Sequence, residues 1–144
     1  MTTLVDVGMA LRSKIESVAV VNKIKRVDYG DVDRVTESIQ VCVEPETKRT
    51  SLRTVGMGVT REFRVYVFIY FAFVTNPEYN REFCDRLAEV LEGEISKDLT
   101  LGGLVINGMV TEVASGQSRK DGIAVRANRL TFEGMVTDRL PMSS

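Results

Sequence analysis

Any chemistry in this chain has to be done without histidine, of which the sequence contains none. That removes the side chain that most often serves as general base, as transition-metal ligand, and as the partner that activates a serine or cysteine. The two thiols, Cys42 and Cys84, fall on different expected elements, one mid-strand and one within a helix, without the short spacing of a metal pair. They read as small core hydrophobes. Spacing alone leaves a disulfide between them open, because that depends on how close the fold brings them. Four carboxylates, Glu78, Glu82, Asp85 and Glu89, recur along one expected helix as a solvated face would. Gly103-Leu-Val-Ile-Asn-Gly108 has phosphate-loop glycine spacing, but Met109 stands where the lysine must be and a strand follows instead of a helix. The stretch from Gly116 to Gly122 holds Arg119 and Lys120, yet it joins two strands and lacks the helix N-terminus that would aid anion capture. These residues predict no catalytic site, no metal and no cofactor; the chain does not read as an enzyme.

Composition narrows the class further. With 144 residues, 44% of them apolar, the chain predicts a single domain over 1–144 that can bury a core unaided. Its 19 basic and 20 acidic side chains leave a net charge of -1, whereas a dedicated nucleic-acid binder carries a basic excess. DNA passing nearby is compatible with that balance, since a sticky basic surface would hinder it. No charged leader precedes an apolar run at the N-terminus, and the longest apolar run, Val65 to Val74, is about half of what a membrane helix needs. A soluble protein of a reducing compartment, with no membrane partner, is expected.

The elements that would position these residues can be read from periodicity. Leu4, Val7, Leu11, Ile15 and Val18 form one stripe of a helix over 3–17, with Gly8 inside it available for close packing. Charges mix irregularly from Val20 to Arg34, a connector holding one short strand near Ile24 to Val27. A strand over 37–44 points Ile39, Val41 and Val43 inward and Ser38, Gln40 and Glu44 outward, and Pro45 is expected to end it. Residues 46–58, with Lys48, Arg49, Arg53 and Met57, read as a long loop or a ragged hairpin tip.

The strand over 60–74 is the most telling. One face is Phe63, Val65, Val67, Ile69, Phe71 and Phe73; the other begins with Thr60, Glu62 and Arg64 and turns to Tyr66, Phe68 and Tyr70. The first face lines a core. The second is too aromatic to leave in water over its second half, so loops, helices or another subunit must cover it. A helix capped by Asn76 with Pro77 at its first position should follow, striped by Tyr79, Phe83, Leu87, Val90 and Leu91. Strands over 105–114 and 123–138 close the chain around a hairpin loop at 115–122, with Leu130, Phe132 and Val136 on the buried side. The order α-β-β-α-β-β predicts an α+β layer: a mostly antiparallel sheet of about four strands with two helices on one face.

Two segments carry a resemblance. Lys97-Asp-Leu-Thr-Leu-Gly-Gly-Leu-Val105, after a helix and before two strands, and Ala127-Asn-Arg-Leu-Thr-Phe-Glu-Gly134 on the last strand resemble the tail-terminator and tail-completion proteins of long-tailed bacteriophages. The element order fits over most of the chain, while the aromatic band on the 60–74 strand is heavier than that family's pattern. The resemblance implies a virion structural protein that assembles as a six-membered ring on the head-proximal end of the tail tube. There it would end tube polymerisation and present a face to head-completion or neck proteins, with DNA passing through the lumen unbound. Its partners would be copies of itself, the tail tube protein and a head-completion protein, and its places the virion tail and, during assembly, the host cytoplasm. A neck or head–tail adaptor of similar fold is the alternative, and a small dimeric ligand-binding module a more distant one. A ring needs two unlike patches per chain. The candidates are the Tyr66/Tyr70 face and a polar edge such as the 46–58 loop with Lys48, Arg49, Arg53 and Met57; Arg119 and Lys120 are further interface candidates.

Overall fold

A computed structural model describes residues 2–52, 58–72 and 80–139. Helix α1 (Leu4–Ala19) starts at Thr3, whose hydroxyl accepts from the Asp6 N–H at 3.1 Å while the Asp6 carboxylate accepts from the Thr3 N–H at 2.8 Å. This reciprocal capping satisfies two orphan donors. Then follow β1 (Arg26–Tyr29), β2 (Ile39–Leu52), β3 (Gly58–Phe71), α2 (Arg81–Ser96), β4 (Ile106–Lys120) and β5 (Ile123–Arg139). The sheet has five strands in the order β1-β2-β3-β5-β4. β1 runs parallel to β2, and every other neighbouring pair is antiparallel.

Both helices cover one face. Val7, Leu11 and Ile15 of α1 share a core with Cys84, Leu87, Leu91 and Ile95 of α2 and with the inward side chains of β2, β3 and β5. The inward sets expected on β2 (Ile39, Val41, Val43) and β3 (Phe63, Val65, Val67, Ile69, Phe71) are all buried there, as are Leu130 and Phe132. Phe73 lies outside the described residues. The architecture is therefore α+β with two helices, as expected, but the sheet is five-stranded and mixed, and the order is α-β-β-β-α-β-β.

The extra strand has a topological consequence. Two parallel neighbours cannot be joined by a tight turn, so residues 30–38 must travel back along the sheet. They do so across the face without helices, where Val32 and Val35 pack on Cys42, Tyr70 and Val125.

Five further expectations need correction. Pro45 does not end β2; the register shifts between Pro45 and Thr47 at a bulge, where proline is tolerated. The strand then continues to Leu52 against Val59, so most of the expected 46–58 loop is a hairpin arm; residues 53–57 lie outside the described ones. The expected loop at 115–122 is likewise strand up to the Lys120–Ile123 pair. Asp121 (φ 53°) and Gly122 (φ 75°) alone make the turn, with the two positive φ values of a type I′ hairpin. Finally, α2 is capped by Asn80, whose side chain accepts from the Phe83 N–H at 2.9 Å, rather than by Asn76. Asn76, Pro77, Glu78 and Tyr79 lie outside the described residues, and Val90 points outward at 49% exposure.

Gly8 sets how closely α1 sits on the sheet. A Cβ built there would fall 2.8 Å from Pro45 Cγ and 2.9 Å from Tyr29 Cε2, inside contact distance of both. Gly8→Ala should therefore lower the melting temperature, the overpacking cost of about 1–3 kcal/mol exceeding alanine's helix-propensity gain of about 1 kcal/mol. Thermal unfolding followed by circular dichroism decides it, and a raised melting temperature would mean that α1 can lift away freely.

Candidate functional site: the helix-free face of the sheet

The side of β3 turned away from the helices carries Tyr66, Phe68 and Tyr70 as a ladder. Tyr66 and Phe68 have ring centroids 5.8 Å apart at 57°, and Phe68 and Tyr70 stack at 5.8 Å and 10°. The cover that this aromatic band requires is supplied unequally. Tyr70 is 2% exposed, closed over by the 30–38 strap of its own chain, whereas Tyr66 and Phe68 remain half-buried. The chain itself thus covers Tyr70, and only the lower rungs stay open to another molecule.

A polar clamp holds the strap. Asp31 accepts from the Tyr70 hydroxyl at 2.7 Å and from Lys120 Nζ at 2.9 Å, and its own N–H donates to Glu44. Lys120 Nζ also sits 4.9 Å over the Tyr70 ring, a cation–π contact in a site where the lysine side chain is only 12% exposed. Farther along, Gln40 accepts from the Thr36 N–H at 3.1 Å and donates to Asp28 at 2.7 Å, while Arg34 pairs with Asp121 at 2.9 Å. Burial pulls the Asp31 carboxyl upward, but hydrogen bonds from Tyr70, Lys120 and the Val32 N–H outweigh it and hold its pKa below the usual value. Burial, then the Asp31 carboxylate, pushes the Tyr70 phenol up.

Below the strap, Phe68 and Tyr70 wall a trough of about 280 Å³ floored by small side chains, among them Ala114, Gly116, Ser118 and Ala127. Arg129 closes one end, its guanidinium 5.1 Å over the Tyr66 ring and paired with Glu112. A second groove of about 310 Å³ lies toward the β2–β3 arm, between Arg49, Glu62, Arg64, Glu133, Met109 and Met135. Arg64 there pairs with Glu133 at 2.9 Å and with Glu46 at 3.8 Å. Both concavities are open and lined by a mixture of charged, polar and apolar side chains.

The expected site residues are thus split among four places. Tyr70 and Lys120 meet in the strap clamp, and Tyr66 stands beside Arg129. Lys48 and Arg49 are exposed on the arm, where they oppose Phe63 and Glu62 and so point to opposite faces of the sheet. Arg119 alternates away from Lys120 and donates to the Gly122 carbonyl at 3.3 Å. Arg53 and Met57 lie outside the described residues. Asp31, Gln40 and Arg129 were not anticipated. Gln40 is an outward position buried next to the parallel pair, which periodicity alone does not reveal, and Asp31 stands on the strap, outside any strand.

Neither thiol sits as a nucleophile would. Cys42 belongs to the strap-covered cluster and Cys84 to the helix-side core, so the sheet separates them and no disulfide joins them. Burial pushes the Cys42 thiol up to about 12 and the Cys84 thiol up to about 11, the opposite of the activated case. Among the described residues no group of three or more acidic or cysteine side chains converges as metal ligands would. Glu82 pairs with Arg86 at 2.6 Å, and Asp85 accepts from Asn128 at 2.9 Å. No described helix is long and apolar enough to cross a membrane.

The two segments that carry the resemblance pack on each other. Gly102 (φ 72°) and Gly103 (φ 91°) turn the chain after α2, a conformation glycine adopts at little cost. Leu101 then enters the core, while Leu99 stays 36% exposed. Val105 lies against Gly134, with its Cγ2 3.1 Å from where a Cβ would stand, and the Phe132 ring reaches within 2.8 Å of the same point at Gly108. In comparisons with known proteins, the chain matches no family model and no curated protein sequence.

Proposed function

We propose that this chain is a structural assembly protein, a tail-terminator-like subunit. It closes into a ring, six-membered as in the proteins it resembles, on the head-proximal end of a phage tail tube. The ring stops tube polymerisation and offers its outer surface to head-completion proteins, within the virion tail. One observation carries this reading. A single sheet presents two unlike surfaces, the open trough beside Phe68 with its small-residue floor and, toward the other end, the charged β2–β3 arm with Lys48 and Arg49. Heterologous contacts that close into a ring use two different patches of this kind. The mutual packing of the 97–105 turn and the 130–134 strand segment supports the resemblance, since the two matching segments form one local unit. A near-neutral charge balance suits a lumen through which DNA slides.

Purified tail tubes mixed with the protein and imaged by negative-stain electron microscopy provide the test. Capped tube ends and arrested growth are expected, with trypsin cleavage at Lys48 and Arg49 slowed in the capped state. Cleavage at Arg81 and Arg86, on α2 and away from the arm, should change little. Uncapped tubes that keep growing would remove the terminator reading. Binding to head connectors instead of tubes would replace it with the neck-adaptor one.

A further inference from the structure

β4 is the long edge of the sheet. Among the described residues no strand pairs with its outer side, and the opposite edge, β1, offers only four residues. Such an edge presents a row of unpaired backbone N–H and C=O groups, which proteins normally blunt with bulges, charges or proline. β4 is blunted in its first half alone, where the register shifts between Ile106 and Met109 and again between Val110 and Glu112. From Glu112 to Lys120 the pairing with β5 is unbroken. That segment holds no proline, and its charges sit only at its ends, Glu112 at one and Arg119 and Lys120 at the other.

We infer that this segment pairs antiparallel with the same segment of a second copy, about a two-fold axis through Gly116. Two features fix the register independently. Gly116 is the midpoint of the regular stretch, so pairing there uses all of it. The same register sets Glu112 of each copy opposite Lys120 of the other, at both ends and on the helix-free face. A slip of two residues in either direction loses both pairs, since Glu112 would then face Ser118 or Gly122; a slip of one would reverse the faces. Glu112 already pairs with Arg129 and Lys120 with Asp31, so the contact joins two existing pairs into a network of alternating sign. Val113, 40% exposed, comes opposite Arg119, whose aliphatic stem covers it. The partner is a second copy rather than a foreign strand because the charge pattern is complementary to itself. An isologous contact closes on two chains, so it is separate from any ring contact and does not rest on the terminator reading.

Sedimentation velocity of the full chain, from micromolar to millimolar concentration and without tubes, should show a monomer–dimer equilibrium. Glu112→Lys sets like charges against each other at both ends and should raise the dissociation constant roughly tenfold. A Cβ at Gly116 meets open space, and directly opposed residues have Cα atoms about 4.5–5.5 Å apart. Gly116→Cys should therefore give a disulfide-linked dimer on mild oxidation, while Ala114→Cys, offset from its own copy, should not. A monomer at every concentration overturns the inference. So does a dimer that Gly116→Cys fails to lock, or one in which both cysteine variants cross-link equally.

Discussion

Phe132→Ala should cost about 3–5 kcal/mol of folding stability, the range for truncating a fully buried aromatic side chain. Phe132 has no exposed surface and lies where the sheet, the 97–105 turn and the start of β4 converge. Val65 on β3 and Val110 on β4 are its cross-strand neighbours, and its ring fills the space left by the missing side chains of Gly108 and Gly134. Collapse around the deleted ring is limited on that side, because a Cβ at Gly108 would stand 2.0 Å from the Leu99 carbonyl oxygen, so the turn is already seated on the strand. Equilibrium denaturation in urea measures the loss. A value below about 1 kcal/mol would mean that the cavity closes by movement of the turn, and that the turn and β5 do not form a tight unit.

The parts of this fold that were legible in the sequence are those where one face is buried and the other wet. α1 and the helix-side faces of β2, β3 and β5 meet that condition, so a period of 3.6 or 2 showed through. The strands that were read too short run on beyond the cover of the helices. On the arm from Glu46 to Ser51 every residue is exposed, and along β4 past Val110 most are. A strand with both faces solvated is held by backbone pairing, which leaves no apolar alternation to read. Between Ser115 and Gly122 the abundance of turn formers hid the stronger local signal, an Asp-Gly pair fitted to a two-residue hairpin. The aromatic face of β3 correctly demanded a cover, but its identity depended on β1 running parallel to β2. That pairing, and not the composition of residues 30–38, is what carries the strap across Tyr70.

The clamp on that strap gives the second large effect. In Asp31→Asn the carboxylate that accepts from both Tyr70 and Lys120 is replaced by an amide with only one acceptor oxygen. Whichever way the amide turns, one of its N–H groups faces a donor, Lys120 Nζ on one side or the Val32 N–H on the other, and the poorly exposed Lys120 ammonium loses its countercharge. A hydrogen bond to a charged group contributes about 1.5–3 kcal/mol, and the loss should fall in that range. Because the Asp31 pKa is lowered in the folded state, its contribution is fully present above the unfolded pKa of about 3.9. It fades as the pH drops through the lower folded value, so the stabilities of wild type and variant should converge in acid. A gap that persists undiminished at pH 2 would assign the loss to packing. The opening should also be local. Cys42 lies directly beneath the strap and Cys84 on the far side of the sheet. Thiol labelling under native conditions should therefore accelerate at Cys42 in the variant while Cys84 keeps its wild-type rate. Equal acceleration at both would mean that Asp31 holds the whole domain together, and that the strap does not open on its own.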